Sequence, residues 1–184
     1  MKSWLPNILT FCRFALACAV VILLHQRDQV FFEIACWLVI LAGLTDFLDG
    51  MFARKYKLES NFGKFLDPLA DKVFVFGALV MLVWLHRVEP VLAIVIMSRE
   101  VLITGMRAIA GSQGIIIPAG MQGKIKTNFQ MIGIGALILH EEYFWLDAHI
   151  VGTICIWISL YFSLVSAYDY VENYVKLRAS AESK

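Results

Sequence analysis

Asp46, Asp49, Asp67 and Asp71 are the residues whose type and spacing point most directly to chemistry. Asp46 and Asp49 close the apolar run ILAGLTDFLDG, and Asp67 and Asp71 open the next one, DPLADKVFVFGALVMLVWL. The spacings are i to i+3 and i to i+4, so each pair presents two carboxylates on one face of a helix. Four carboxylates at the ends of membrane helices are costly unless cations neutralise them. Two divalent ions balance the four charges, and an oxygen-only ligand set favours Mg²⁺ or Mn²⁺ over zinc.

The elements that must position these groups are apolar helices. Of the 184 residues, 60% are hydrophobic and only 17% charged, well outside the range of a soluble domain. Lys and Arg number 16 against 15 acids, a balance that argues against a nucleic-acid partner. The length suits one membrane domain over residues 1–184, with no separate soluble unit. Cys12, Cys18, Cys36 and Cys155 all fall in apolar runs and read as buried, inert thiols rather than zinc ligands or a disulfide framework.

The expected fold is therefore an all-α, polytopic membrane bundle of about six spans, each needing about 20 residues. The spans fall near 7–24, 30–54, 66–86, 90–109, 127–140 and 148–175. Residues 1–6 read as a short interfacial segment with Lys2 and Trp4 at the headgroups. A signal peptide is disfavoured because Arg13 interrupts the first apolar stretch and further spans follow. One set of loops and ends holds Lys2, Arg54, Lys55, Lys57, Lys64, Arg107, Lys124, Lys126, Lys176, Arg178 and Lys184; the opposite set holds Arg27 and Arg87. The positive-inside rule makes the first side cytoplasmic. The aspartates lie on that side, and His25, His86, His140 and His149 fall at the other boundary, too far away to be metal ligands.

Read as a string, residues 46–71 are DFLDGMFAR, then KYKLESNF, then GKFLDPLAD. This resembles the signature D-x-x-D-G-x-x-A-R, eight residues, G-x-x-x-D-x-x-x-D of the CDP-alcohol phosphatidyltransferases, with every fixed position present. LPNILTFCR near the start, SREVLITGMR at 98–107 and GKIKTNFQ at 123–130 resemble the branch of that family that forms phosphatidylglycerophosphate.

The resemblance implies an inner (cytoplasmic) membrane enzyme with its active site facing the cytoplasm. It would transfer the phosphatidyl group of CDP-diacylglycerol to sn-glycerol 3-phosphate and release CMP. It implies two Mg²⁺ per site, with Mn²⁺ an alternative, held by Asp46, Asp49, Asp67 and Asp71, with Asp71 as the base. It also implies membrane-lipid contacts and a homodimer, and it assigns Asn7 and Thr10 to the nucleotide site. The residues fit such chemistry. Phosphoryl transfer needs a neutralised diphosphate and in-line positioning, and an unactivated hydroxyl needs a carboxylate to take its proton. Gly50 and Ala53 follow Asp49 and leave room for a nucleotide against the helix backbone. Arg54 can bond the diphosphate, and Gly63 is read as ending the loop ahead of the third span.

Glycerol 3-phosphate requires a basic pocket. Arg99 and Arg107 lie on the fourth span, and Lys124 and Lys126 flank the start of the fifth. Arg clamps phosphate in two-pronged fashion and Lys adds point charge. Glu100 either orients Arg99 or forms an ordinary ion pair with it. The plainer alternatives are aspartates that only pair with Arg54, Lys64 and Lys72, and basic residues that only snorkel to headgroups. Within the family, other acceptors are inositol phosphate, serine or phosphatidylglycerol. From another class, a divalent-cation transporter would need acids deep in several helices and inverted repeats, and neither is evident.

Overall fold

Six apolar runs separated by short polar links become six α-helices among the described residues: α1 (Leu5–His25), α2 (Gln29–Tyr56), α3 (Asn61–Trp84), α4 (Pro90–Ser112), α5 (Met121–Leu139) and α6 (Ala148–Glu182). The computed structural model describes the backbone of residues 5–56, 61–115, 117, 120–143 and 146–182, and side chains over 11–44, at 70, and over 72–115, 117, 120–141 and 147–179. A two-residue antiparallel hairpin, β1 (Glu142–Tyr143) and β2 (Leu146–Asp147), joins α5 to α6 and pairs Glu142 with Asp147.

The helix ends are set by local chemistry. Asp28 Oδ1 accepts a hydrogen bond from Val30 N at 2.9 Å and caps α2. Asp147 Oδ1 caps α6 by accepting from His149 N at 2.8 Å and Ile150 N at 3.2 Å. Pro90 opens α4, where its missing N–H costs nothing. After α3 the chain turns through His86 in the left-handed region (φ 58°). Arg87 N bonds Leu82 O at 2.9 Å there, and His86 N bonds Val83 O at 3.0 Å. This is the paired C-terminal cap that normally favours glycine. Gly114 (φ 72°) makes the same turn after α4.

Several boundaries differ from the hydropathy reading. α3 begins at Asn61, so Gly63 lies in its first turn rather than in the loop before it. α5 begins at Met121. Lys124 and Lys126 are thus inside a helix that their charges hide from an apolar window. Cys36 and Cys155 are buried as expected, but Cys12 and Cys18 are exposed on α1.

α1 packs on α3, α2 on α1 and α5, and α4 more lightly on α3 and α6; the most extensive interface joins α5 to α6. Val20, Leu24, Val39, Leu79, Leu82, Ile96, Ile134, Leu137, Ile138 and Ile156 are fully buried in the shared core. Among the described residues, one helical stretch, Ala148–Ala179, is long and apolar enough to cross a membrane; Phe11–His25, Gln29–Leu44 and Lys72–Trp84 are shorter apolar stretches.

The end of the bundle away from the aspartates is fastened by cations. Arg87 donates to Leu137 O at 3.2 Å and to Ile138 O, satisfying the open carbonyls of α5, and lies 4.1 Å from the Phe32 ring centroid. Burial pushes its pKa down and Glu141 opposes that, and a guanidinium retains its charge. Trp84 is covered by Arg27 at 4.0 Å and stacked by His25 at 5.1 Å. His140 and His149 meet there through their Nδ1 atoms at 3.1 Å.

α5 and α6 cross at glycine. A Cβ on Gly152 would lie 2.6 Å from Leu137 Cγ and 2.9 Å from Leu137 N, and one on Gly133 would lie 2.9 Å from Ile156 Cγ1 and 3.1 Å from Gly152 O. Backbones this close admit no side chain. Gly152→Ala should lower the melting temperature in detergent, by an overpacking cost of about 1–3 kcal/mol. Gly111→Ala, where a Cβ meets nothing within 4 Å, should leave it unchanged or raise it. Equal melting temperatures for the two variants would show that α5 and α6 do not depend on this crossing.

Candidate active site

The four aspartates fall on α2 and α3, but not at their ends. Both helices continue past the apolar runs, to Tyr56 and back to Asn61. At 1.5 Å per residue, Asp49 and Asp67 each lie roughly 10 Å along their helices from the link at 57–60. The two pairs are thus separated from that link by similar lengths of helix. Each pair keeps its helical spacing and therefore its common face. The side chains of Asp46, Asp49, Asp67 and Asp71 lie outside the described residues, as do those of Asn7, Thr10, Ala53 and Arg54; Gly50 and Gly63 are placed only by their helices. Among the described residues no group of three or more His, Cys, Asp or Glu side chains could hold a metal. By residue type, the four aspartates on α2 and α3 offer carboxylate oxygen alone, a donor chemistry that suits a hard divalent ion such as Mg²⁺.

At the same end, α3, α4, α5 and α6 carry a second polar group, described in full. Glu100 of α4 sits between two cations. Its Oε1 accepts from Arg99 Nη1 at 3.2 Å and from Lys126 Nζ, which reaches across from α5. Lys126 is only 7% exposed, so without Glu100 its charge would be buried alone. Lys72, next to Asp71 on α3, is close enough to act electrostatically on both Glu100 and Lys126. Arg107 is close enough to repel Arg99. Among the described residues, Glu100 is thus flanked by Arg99 and Lys126 with Lys72 nearby, Arg107 lies near Arg99, and the chain position of Lys72 ties this cluster to the signature aspartates.

The other candidate residues are placed as follows. Arg107 is exposed, two turns beyond Arg99, with its guanidinium 5.7 Å from the Tyr170 ring centroid. Lys124 is exposed, half a turn before Lys126. Arg99 and Lys126 are thus brought together on one carboxylate oxygen, while Arg107 and Lys124 lie nearer the surface.

Sequence reasoning missed the polar seam behind Lys126. Ser159 of α6 donates to Lys126 O at 3.1 Å. Gln130, one turn on along α5, and Ser163, one turn on along α6, are buried with Gln130 Nε2 and Ser163 Oγ unpartnered. Arg99 Nε is likewise buried and unpartnered. Tyr170 is 6% exposed with its hydroxyl unpartnered. Buried orphan donors are costly in a native fold unless something hydrogen-bonds them; Arg99 and Gln130 lie on cation-bearing helices, and Ser163 and Tyr170 lie on α6, which packs against both. The available signal was the polar spacing Lys126–Gln130 and Ser159–Ser163 inside apolar helices, each i to i+4 on one face.

Comparison with known proteins bears on what such a site does. The profile of the CDP-alcohol phosphatidyltransferase family matches residues 3–165. Bacillus subtilis (strain 168) has a CDP-diacylglycerol--glycerol-3-phosphate 3-phosphatidyltransferase that is 38% identical, covering 96% of this chain and 98% of its own length. Proteins of the same name in Rickettsia typhi and Haemophilus influenzae are 34% and 33% identical, covering 92% and 94% of this chain and 96% and 98% of theirs. With the full aspartate signature carried on α2 and α3, and likeness over 96% of its length to a named relative, this chain belongs to the CDP-alcohol phosphatidyltransferase family.

Proposed function

We propose that this chain transfers the phosphatidyl group of CDP-diacylglycerol to sn-glycerol 3-phosphate, giving phosphatidylglycerophosphate and CMP. The observation that carries the reading is near-full-length similarity to enzymes named for that reaction, joined to a cationic cluster suited to a phosphorylated acceptor. Clustered cations suit a phosphorylated alcohol better than the zwitterion serine.

The residues divide the work. Asp46, Asp49 and Asp67, with Asp71, would hold two Mg²⁺, or Mn²⁺, which when bound neutralise the diphosphate. Asn7, Thr10, Gly50, Ala53, Arg54 and Gly63 form the CDP-diacylglycerol side by family likeness. Asp71 takes the proton of the acceptor hydroxyl as its oxygen attacks the phosphorus that bears diacylglycerol. The new P–O bond forms as the P–O bond to CMP breaks, and CMP leaves with that electron pair. Arg99, Arg107, Lys124 and Lys126 draw the acceptor phosphate to the same end of the bundle, beside Asp71 and Lys72.

The protein works as a multi-pass membrane enzyme, with this end at the cytoplasmic face of the inner membrane. Support comes from apolar residues left on outer helix faces, including Trp37 and Leu44 of α2, Ile94 and Leu102 of α4 and Trp157 of α6. Soluble monomers rarely leave so much contiguous apolar surface to water. The bias of Lys and Arg to the aspartate end supports the orientation. Homodimer formation rests on family likeness.

Three measurements test this. Purified protein given CDP-diacylglycerol, Mg²⁺ and a panel of alcohols should release CMP with glycerol 3-phosphate, lose that activity in EDTA and regain it with Mg²⁺ or Mn²⁺. Full turnover in chelator would remove the metal assignment, and turnover only with another alcohol would change the acceptor. Arg107→Ala should raise KM for glycerol 3-phosphate far more than KM for CDP-diacylglycerol. A charge-assisted phosphate contact of roughly 1.5–3 kcal/mol implies a loss of about tenfold or more in kcat/KM; equal effects on both substrates would make this arginine a headgroup or Tyr170 contact only. With the native cysteines replaced, a cysteine at Ser112 should label only from the cytoplasmic side and one at Glu141 only from the other. Labelling of both from one side would overturn the crossing pattern.

A further inference from the structure

We infer that Glu100 is the positioning residue of the acceptor-phosphate pocket, using one carboxylate oxygen to gather Arg99 and Lys126 into a preformed two-cation clamp; this rests on the function proposed above. Neighbours on a helix point about 100° apart, so Arg99 and Glu100 do not share a face by default. Even so, Arg99 Nη1 turns back to Glu100 Oε1 at 3.2 Å, and Lys126 crosses from α5 to the same atom. A bare pair of buried cations would repel and drift apart, and a single shared oxygen holds them together at one point.

The clamp is not saturated. Arg99 Nε stays buried without a partner, and an arginine offers further donors in a fixed fork. Arg99 and Lys126 share the single Glu100 oxygen, and Arg107 lies near Arg99, so these described side chains leave cationic donors to meet an arriving phosphate dianion. The surroundings fix the carboxylate in turn. Thr104 Oγ1 donates to Glu100 O at 2.7 Å, and Ser159 donates to Lys126 O, so the backbones beneath both partners are tied to their own helix or to α6. Glu100 touches the cations and not the reacting atoms. Its removal should therefore weaken acceptor binding while leaving the nucleotide-lipid side intact.

The full-length protein is assayed as wild type, Glu100→Gln, Glu100→Asp, Lys126→Gln and the Glu100→Gln/Lys126→Gln double variant. Glu100→Gln should raise KM for glycerol 3-phosphate about tenfold with KM for CDP-diacylglycerol changed by less than about twofold, and Glu100→Asp should recover part of the loss. In the Lys126→Gln background the further effect of Glu100→Gln should shrink to under about threefold, because the cation that Glu100 positions is already gone. The inference is overturned by equal rises in both KM values, by strictly additive losses, or by a fall in KM for glycerol 3-phosphate, which would make Glu100 a stand-in for the phosphate. If Glu100→Gln does not fold, Glu100→Asp and the double variant, which leaves no lone buried charge between these two, decide the matter by the same KM split. Wild-type protein that releases no CMP on adding glycerol 3-phosphate overturns the proposed function; wild-type protein that turns over while Glu100→Gln matches it overturns only the role of Glu100.

Discussion

Ionised side chains inside apolar helices are strongly unfavourable unless each finds a counter-charge, and this constraint organises the chain. The carboxylates of the signature ride on α2 and α3. The cations ride on α3, α4 and α5 at the same end, and the one buried ion-pair group described in full, Arg99–Glu100–Lys126, is held by hydrogen bonds from α4 and α6. Among the described residues, charged groups at the other end of the bundle cap helices and cover rings, as Arg87 does for the α5 carbonyls and Arg27 for Trp84.

The α5–α6 crossing is what lets a lysine be buried at all. Gly133 and Gly152 bring the two backbones into contact near the far end. The close approach carries toward the site, where Ser159 can reach Lys126 O and where Gln130 and Ser163 are enclosed. With bulkier residues at the crossing the helices would separate, water would reach Lys126, and its pairing with Glu100 would lose the low dielectric that makes it strong. Packing far from the chemistry therefore sets the electrostatics of the site.

The signature aspartates and the cationic cluster meet through α3. Lys72 follows Asp71 directly, and it acts on Glu100 and Lys126. On the proposed function, a phosphorylated alcohol drawn to these cations would lie close to Asp71, the carboxylate proposed to take its proton. Positioning of this kind, rather than covalent participation by the protein, is what phosphoryl transfer asks of an enzyme.

The sequence by itself determined the helical class, the six helices found among the described residues and the aspartate signature that marks the family. Apolar runs of spanning length admit little but helix, and i to i+3 and i to i+4 spacing fixes a shared face whatever the tertiary arrangement. It also separated Arg99 and Lys126 as acceptor candidates, since charged residues in apolar runs stand out. It misplaced the starts of α3 and α5, because Lys64, Lys124 and Lys126 look like loop residues when hydropathy is the only guide. Only the tertiary structure decided that Lys126 is buried, that Tyr170 is enclosed beside Arg107, and that Glu100 belongs to α5's lysine as much as to its own neighbour. Those facts depend on which helices touch and at what residue. The α5–α6 crossing holds two glycines whose significance is invisible until the opposing backbone is seen about 3 Å from where a Cβ would stand.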